Sequence, residues 1–298
     1  MDWKVLLYVP SEIDGEEELK NWMKNPERGI ICRPIGENLS KDELLADISG
    51  MNAEIVDCLM IAATGKEWRL AQEIGLAAIP YIGKSAPVVR EVYDFSGAWM
   101  VVEGFDEVDY DFLHKAYLRA HDLPWTVITT ERCFLREITM DDMDALFALY
   151  EQKGITDYTE ALYPREQEEE YERAYIANMY RYFGYGMWLV CRKDTGEIIG
   201  RAGLEHRDYP EGTELEMGYL IAPKEQHKGY ATEVCRAILE YADSELDFPR
   251  VNCLIERENI NSIRLVEKLG FTFLEETDVA GKPMERYIKY CFLEENKI

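Results

Sequence analysis

Basic charge is what this sequence most lacks: 33 lysines and arginines stand against 58 aspartates and glutamates in 298 residues, a formal charge of −25. So large an acid excess repels phosphate backbones and anionic headgroups, which argues against nucleic acid or a membrane as the principal partner. The excess is shared by both halves of the chain, so no acidic tail accounts for it. Long apolar runs are missing as well. No stretch approaches the roughly 20 residues that span a bilayer, and the short apolar run after Met1 leads into acids rather than a small-residue cleavage site, so no export signal is expected. Seven cysteines (Cys32, Cys58, Cys133, Cys191, Cys235, Cys253, Cys291) are odd in number and scattered, with no C-x-x-C pair. The four histidines, His114, His121, His206 and His227, fall in no metal-ligand or triad spacing. A disulfide framework, a zinc site and a His-based triad are thereby set aside, and the expectation is reduced thiols in the cytoplasm and no metal. The P-loop pattern G-x-x-x-x-G-K-[ST] and the dinucleotide fingerprint G-x-G-x-x-G do not occur either.

What remains is a well-cored chain, 47% hydrophobic, long enough at roughly 100–200 residues per domain for two domains. Up to about Leu123, short β-branched runs alternate with amphipathic segments, the pattern of parallel strands joined by crossover helices. Strands are predicted at Lys4–Val9, Gly29–Cys32, Asp57–Ala62, Ala77–Ile82 and Trp99–Val102, with helices at Glu16–Lys24, Lys41–Ser49, Glu67–Ile74 and Tyr110–Ala120. Ser40 with Glu43 spells a capping box, and Gly75 supplies a left-handed C-cap. The pattern breaks at Pro124. The second half opens with a strand at Cys133–Glu137, a helix capped by Thr139, and a Tyr-rich segment up to Tyr185. Hairpin strands Met187–Arg192 and Ile198–Glu205 follow, joined by Asp194-Thr195-Gly196. Then come a strand Glu214–Ile221, a helix Thr232–Leu246, a strand Val251–Ile255, a helix Ser262–Leu269, and closing strands near Phe271–Glu275 and Glu285–Phe292.

The most informative stretch runs from Glu214 to Thr232: a strand, a loop of pattern Q-x-x-G-x-A (Gln226, Gly229, Ala231), then a helix. N–H groups in a first helical turn lack internal partners and sit at the positive end of the helix dipole, so a loop that exposes them binds anions. Gly229 admits a phosphate close to the backbone, Ala231 keeps bulk out of its way, and Lys228 adds charge. A diphosphate is the natural guest. A second segment, E-N-x-x-S-x-x-L-x-x-K-L-G-F from Glu258 to Phe271, follows another strand.

With R-E-I-T at Arg136–Thr139 and E-x-G-Y at Glu216–Tyr219, these motifs make residues of about 131–292 resemble the GNAT acetyltransferase superfamily, most closely its ribosomal-protein N-acetyltransferase-like branch. The resemblance implies a GNAT domain over 126–298, a mixed, mostly antiparallel α+β sheet whose central strands splay to admit acetyl-CoA. Carried over, Leu220 and Ile221 would meet the pantetheine arm or the acetyl carbonyl. Amides of Lys228, Gly229, Tyr230, Ala231 and Thr232 would hold the diphosphate, with Gln226 bracing the loop and Asn259 and Ser262 reaching in from the far side.

Acyl transfer needs a neutral amine, and an alkylammonium of pKa about 10.4 must first lose a proton. Alternation puts Glu214, Glu216 and Gly218 on one strand face and Leu215, Met217 and Tyr219 on the other. Glu216 falls on the family's E-x-G-Y position, which names it as general base, acting through water; a cross-strand ion pair is the plain alternative. The family's usual acid, a Tyr after the N-x-x-[AS] motif, is replaced here by Val266. The acid is left among Tyr219, Tyr230, Tyr287 and water, with Tyr287 the chosen candidate and the other two read as packing aromatics. Acceptor selectivity is implied for about Leu146–Gly186, where Tyr150, Tyr158, Tyr163, Tyr171, Tyr175, Tyr180, Tyr182 and Tyr185 accompany the run Glu166-Gln167-Glu168-Glu169-Glu170. Such a wall suits a cationic amine, although a buried Tyr stripe and a solvated helix face would read the same way.

The N-terminal half, residues 1–125, reads as a small parallel α/β, Rossmann-like module. Its stretch of about 55–121 resembles part of a haloacid-dehalogenase-like core, yet no D-x-D nucleophile motif occurs in the first strand and Thr64-Gly65-Lys66 stands where a metal-binding acid is expected. A catalytically inert module follows. The reading is an acetyl-CoA-dependent N-acetyltransferase acting on a primary amine, a protein N-terminus or small amine, in a ternary complex. The alternatives are a non-catalytic acyl-CoA sensor or scaffold and, last, a phosphatase based on the N-terminal module.

Overall fold

A computed structural model describes residues 3–10, 19, 29–83, 93–105, 108–210, 212–246 and 248–291. The chain divides into two compact units, Met1–Leu123 and Pro124–Ile298.

In the first unit, β1 (Val5–Tyr8), β2 (Ile31–Pro34), β3 (Cys58–Ala62), β4 (Ala77–Ile82) and β5 (Val102–Glu103) form a parallel sheet in the order β2-β1-β3-β4-β5. The central strands are apolar at every position because both faces are covered. Leu6, Tyr8, Leu59 and Ile61 pack on the side of Leu113, Ala116 and Tyr117 from α3 (Tyr110–Ala120). Val5, Leu7, Cys58 and Met60 pack on the side of Leu44 and Ile48 from α1 (Lys41–Gly50) and of Trp68 and Ala71 from α2 (Gly65–Ile74). Ser40–Glu43 closes a capping box, and Gly75 ends α2 at φ 71°. Two expectations shift. The predicted strand Gly29–Cys32 pairs two residues later, and Trp99–Val102 is a strand only at its last residue. The Glu16–Lys24 helix lies outside the described residues, Leu19 excepted.

The second unit contains β6 (Thr126–Thr129), β7 (Cys133–Arg136), α4 (Met143–Tyr150), α5 (Arg165–Tyr175), β8 (Met187–Arg192), β9 (Ile198–Tyr209), β10 (Gly212–Ile221), α6 (Tyr230–Glu245), β11 (Arg250–Glu256), α7 (Ile260–Lys268), β12 (Thr272–Val279) and β13 (Lys282–Tyr290). The described strands form one mixed sheet, β12-β13-β11-β10-β9-β8-β7-β6. Its one parallel pair is decisive. β10 pairs antiparallel with β9 over all ten of its residues, but parallel with β11 only at Leu215↔Val251 and Glu216↔Asn252. Beyond that the ladder stops while both strands run on, and a V opens between them. β10 and β11 are joined by α6, which buries Val234, Cys235, Ile238 and Ala242 against the sheet.

At the closed end of the V, a buried polar network ties the strands together. Glu214 on β10 is gripped by Arg250 through Nε at 2.6 Å and through a second, shorter bond. It also accepts from Asn252 Nδ2 at 2.7 Å and from Arg286 Nη2 at 3.2 Å. Arg286, 1% exposed, donates to Asn252 Oδ1 and Glu275 and lies under the Tyr209 ring. Burial alone would raise the Glu214 pKa, but the bonds from Arg250 and Asn252 and the two guanidiniums hold it below the usual carboxylate value. Its contribution to stability is therefore complete above the ordinary carboxylate pKa and fades as pH falls towards the depressed one. Glu214→Leu leaves two guanidiniums without their shared anion and is expected to cost about 3–5 kcal/mol in urea unfolding at neutral pH. An unchanged midpoint would show the network to be incidental.

Candidate active site

β10 ends at Ile221, and Ala222 is held to β9 by its N–H donating to the Ile199 carbonyl at 2.8 Å. A single turn, Pro223–Glu225, then reverses the chain. Gln226 folds back so that its Nε2 donates to the Ile221 carbonyl at 2.9 Å, which braces the loop. His227 and Gly229 take left-handed backbones, φ 60° and 88°, and the second turns the chain directly into α6. No side chain caps α6, so the first-turn N–H groups of a 16-residue helix are left to an outside acceptor.

Lys228 turns its ammonium back onto Glu225 at 3.0 Å, so its charge is partly spent within the loop. The sequence reading missed Arg132. It donates to the Lys228 carbonyl at 3.0 Å, lies over the Tyr230 ring at 4.3 Å and grips Glu233 at 2.7 Å, locking the loop to the start of β7. Only its neighbourhood to the R-E-I-T motif hinted at it.

A cleft of about 570 Å³ opens in the V. Of the residues singled out from sequence, Leu220, Ile221, Gln226, Gly229, Tyr230, Ala231, Thr232, Asn259 and Ser262 line it. Asn259 Oδ1 accepts from the Ser262 N–H at 3.2 Å and so caps α7, which leaves its amide nitrogen for a ligand. Tyr219, read as packing, also lines the cleft and reaches across it, its hydroxyl donating to the Ser262 carbonyl at 3.4 Å; burial raises its pKa. Lys153 and Tyr158 close the wall, the Tyr158 hydroxyl bonding the Glu258 carbonyl at 3.2 Å. Part of the segment assigned to acceptor selectivity therefore faces this cleft.

Lys228, Glu216 and Tyr287 lie outside those walls. Tyr287 is 4% exposed on β13, and its hydroxyl donates to Glu285 Oε2 at 2.8 Å; burial first, then Glu285, pushes its pKa up to about 12. Glu216 does form a cross-strand ion pair, with Arg207 on β9. Burial nevertheless raises its pKa, against the pull of Arg207. Directly opposite Glu216 in the ladder stands Glu205, a residue that sequence reading passed over. Glu205 accepts from the Tyr175 hydroxyl at 2.8 Å, and that hydroxyl accepts from the Met187 N–H at 2.7 Å.

The Tyr-rich segment is α5 continued by a π-helix, Ile176–Phe183. The wider turn sends Tyr175 and Tyr180, five apart, into the core, while Tyr158, Tyr163, Tyr171 and Tyr182 stay exposed. Within the acidic run, Glu168 is buried and accepts from the Tyr163 N–H, and Glu169 pairs with Arg165 and Arg173. Glu172, just beyond the run, is fully buried 2.8 Å from Arg201 of β9 and anchors α5 to the sheet. His206 is half-buried on β9 against Phe183, because β9 runs on to Tyr209.

Residues 132–272 match the acetyltransferase (GNAT) domain family. The uncharacterized protein YkkB of Bacillus subtilis is 31% identical over 163 residues, 54% of this chain and 94% of that protein. The uncharacterized N-acetyltransferase YoaA of the same organism is 32% identical over 150 residues, 49% of this chain and 82% of its own length. The chain belongs to the GNAT acetyltransferase family. It is an N-acetyltransferase, and enzymes of this family use acetyl-CoA. Among solved structures, a GNAT-family acetyltransferase of Bacillus anthracis is 24% identical, covers 57% of this chain and 99% of its own, and has a TM-score of 0.46. The family match leaves the first 131 residues of this acetyltransferase unassigned.

Proposed function

We propose that the C-terminal unit moves the acetyl group of acetyl-CoA to a primary amine by direct attack within a ternary complex. One observation carries the reading: the uncapped start of α6 opens onto the cleft left where β10 parts from β11. The residues fit the coenzyme, since Gly229 brings backbone amides to the surface and Leu220, Ile221 and Ala231 leave an apolar floor. The coenzyme would supply the thioester, with its diphosphate on the amides of Lys228 to Thr232 and Asn259 and Ser262 across from them.

Glu216, which lies outside the cleft walls, takes the proton from the incoming ammonium through water. The amine nitrogen then bonds to the carbonyl carbon, the carbon–sulfur bond breaks, the thiolate departs, and the nitrogen gives its second proton to solvent as the amide forms. For its protonation Tyr219 is better placed than Tyr287, because it lines the cleft and its hydroxyl has only the 3.4 Å bond to the Ser262 carbonyl, whereas the Tyr287 hydroxyl is held by Glu285 at 2.8 Å. Glu205 opposite Glu216, with the exposed Tyr171 and Tyr182, supports a cationic acceptor such as a protein N-terminus or small amine. The likeness to the ribosomal-protein branch belongs to the same proposal.

For the N-terminal unit we propose an inert module. The N–H groups of Ala63 and Thr64, where β3 meets α2 and a phosphate would be held, are already bound by the unit's own Glu67 at 2.7 and 3.3 Å. The test of the main reading is calorimetric titration with acetyl-CoA, followed by thiol release over a panel of primary amines. Binding at about micromolar affinity and release with a cationic amine are expected; binding without release from any amine would overturn the transfer reading.

A further inference from the structure

The coenzyme cleft does not end at its loop. Gly229 and Thr232 also line a groove of about 460 Å³ along α6, whose walls include Arg236, Glu240 and Lys268. Arg236 and Lys268 line a further hollow of about 270 Å³ as well, so these two cations stand where the hollows adjoin.

Arg236 and Lys268, like Lys153, Arg264 and Lys282, are not among the paired cations of this unit. Other cations here are spent on carboxylates: Arg132, Arg136, Arg165, Arg192, Arg201, Arg207, Arg250, Arg257 and Arg286 each hold at least one. Among the described residues Arg236 and Lys268 have no ion pair or hydrogen bond through their side chains. Glu233, one turn before Arg236, is bound instead by Arg132 and Thr130. Two unspent cations on two helices, beside one groove in so acidic a chain, make a site for an anion the protein does not itself provide.

The donor's chemistry supplies one. Coenzyme A carries a third phosphate on its ribose 3′ oxygen, on the adenosine side of the diphosphate. If the diphosphate rests on the start of α6 and the pantetheine runs along Leu220 and Ile221, the adenosine must leave the other way, past Thr232. Arg236 is four residues, about 6 Å, beyond Thr232 on the same face. We propose that Arg236 and Lys268 receive the ribose 3′-phosphate, and that the enzyme thereby selects 3′-phosphorylated acyl donors over donors lacking that group. This rests on the donor-site reading above. A phosphomonoester carries nearly two negative charges at neutral pH, which engages both cations in spite of Glu131, Glu240 and Asp243 in the same walls.

The test titrates the full chain with acetyl-CoA and with acetyl-dephospho-CoA at fixed ionic strength. The parent should prefer acetyl-CoA by about tenfold or more. Arg236→Gln combined with Lys268→Gln should bind both donors alike, at the parent's affinity for the dephospho form, which itself reports a folded cleft. Lys282→Gln, at an exposed cation outside these grooves, should keep the preference. Equal binding of both donors by the parent, or equal weakening of both in the double variant, overturns the inference and leaves the loop reading standing. A parent that binds neither donor overturns both.

Discussion

Gly229→Glu is expected to lower affinity for acetyl-CoA by about 100-fold or more, a loss of about 2.8 kcal/mol. Two effects add. A φ of 88° costs an L-residue about 1–2 kcal/mol, and a Cβ there would meet the Arg132 guanidinium at 3.4 Å. The new carboxylate would also cap the free amides of α6 itself, and so compete with the diphosphate while repelling it. Gly229→Asn separates the two, because asparagine tolerates left-handed backbone and carries no charge. It should stay within about tenfold of the parent. Retention of parental affinity by the glutamate variant would remove the helix start from the donor site.

Where one strand's pattern suffices, sequence and structure agree closely. Ala77–Ile82, Tyr110–Ala120 and Met187–Arg192 begin and end as their periodicity and caps require. β6 was illegible because Thr126–Thr129 is a four-residue edge strand two residues after Pro124, and what makes it a strand is pairing with β7. The same holds for Glu214. Its place on the face with Glu216 follows from alternation, but only the arrival of Arg250 and Asn252 from β11 and Arg286 from β13 turns it into a structural anchor.

The donor loop was readable because its chemistry is local: a helix start, a glycine and a bracing glutamine within a few residues. The acceptor side is not local. Glu205 faces Glu216 through the register of β9 on β10, and Tyr175 joins them only because a π-helix, which no periodicity signals, follows α5. That Tyr287 spends its hydroxyl on Glu285, two residues earlier on the same strand, is a matter of rotamer rather than pattern.

The second large effect is expected at Glu216. As general base it must be ionised, so in the parent kcat/KM should rise with pH through the Glu216 pKa, which burial sets above the usual carboxylate value, and then level off. On that plateau the carboxylate accepts what the ammonium gives. Glu216→Gln removes this acceptor, and only amine that is already neutral reacts. At neutral pH its turnover should fall about 10²–10⁴-fold, with acetyl-CoA affinity within a few-fold of the parent. Its rate should then climb tenfold per pH unit towards the amine's own pKa, near about 10.4 for an alkylamine, closing the gap to the parent. Stability should move the other way. A carboxyl whose folded pKa is raised adds stability below its unfolded pKa and loses that stability as pH climbs through the folded one. Glutamine avoids this penalty, so at neutral pH the variant should melt no lower than the parent apart from the lost, partly exposed Arg207 pair. An inactive but stable variant whose rate recovers in alkali marks a lost base. Parallel pH profiles for variant and parent would show that Glu216 only pairs with Arg207.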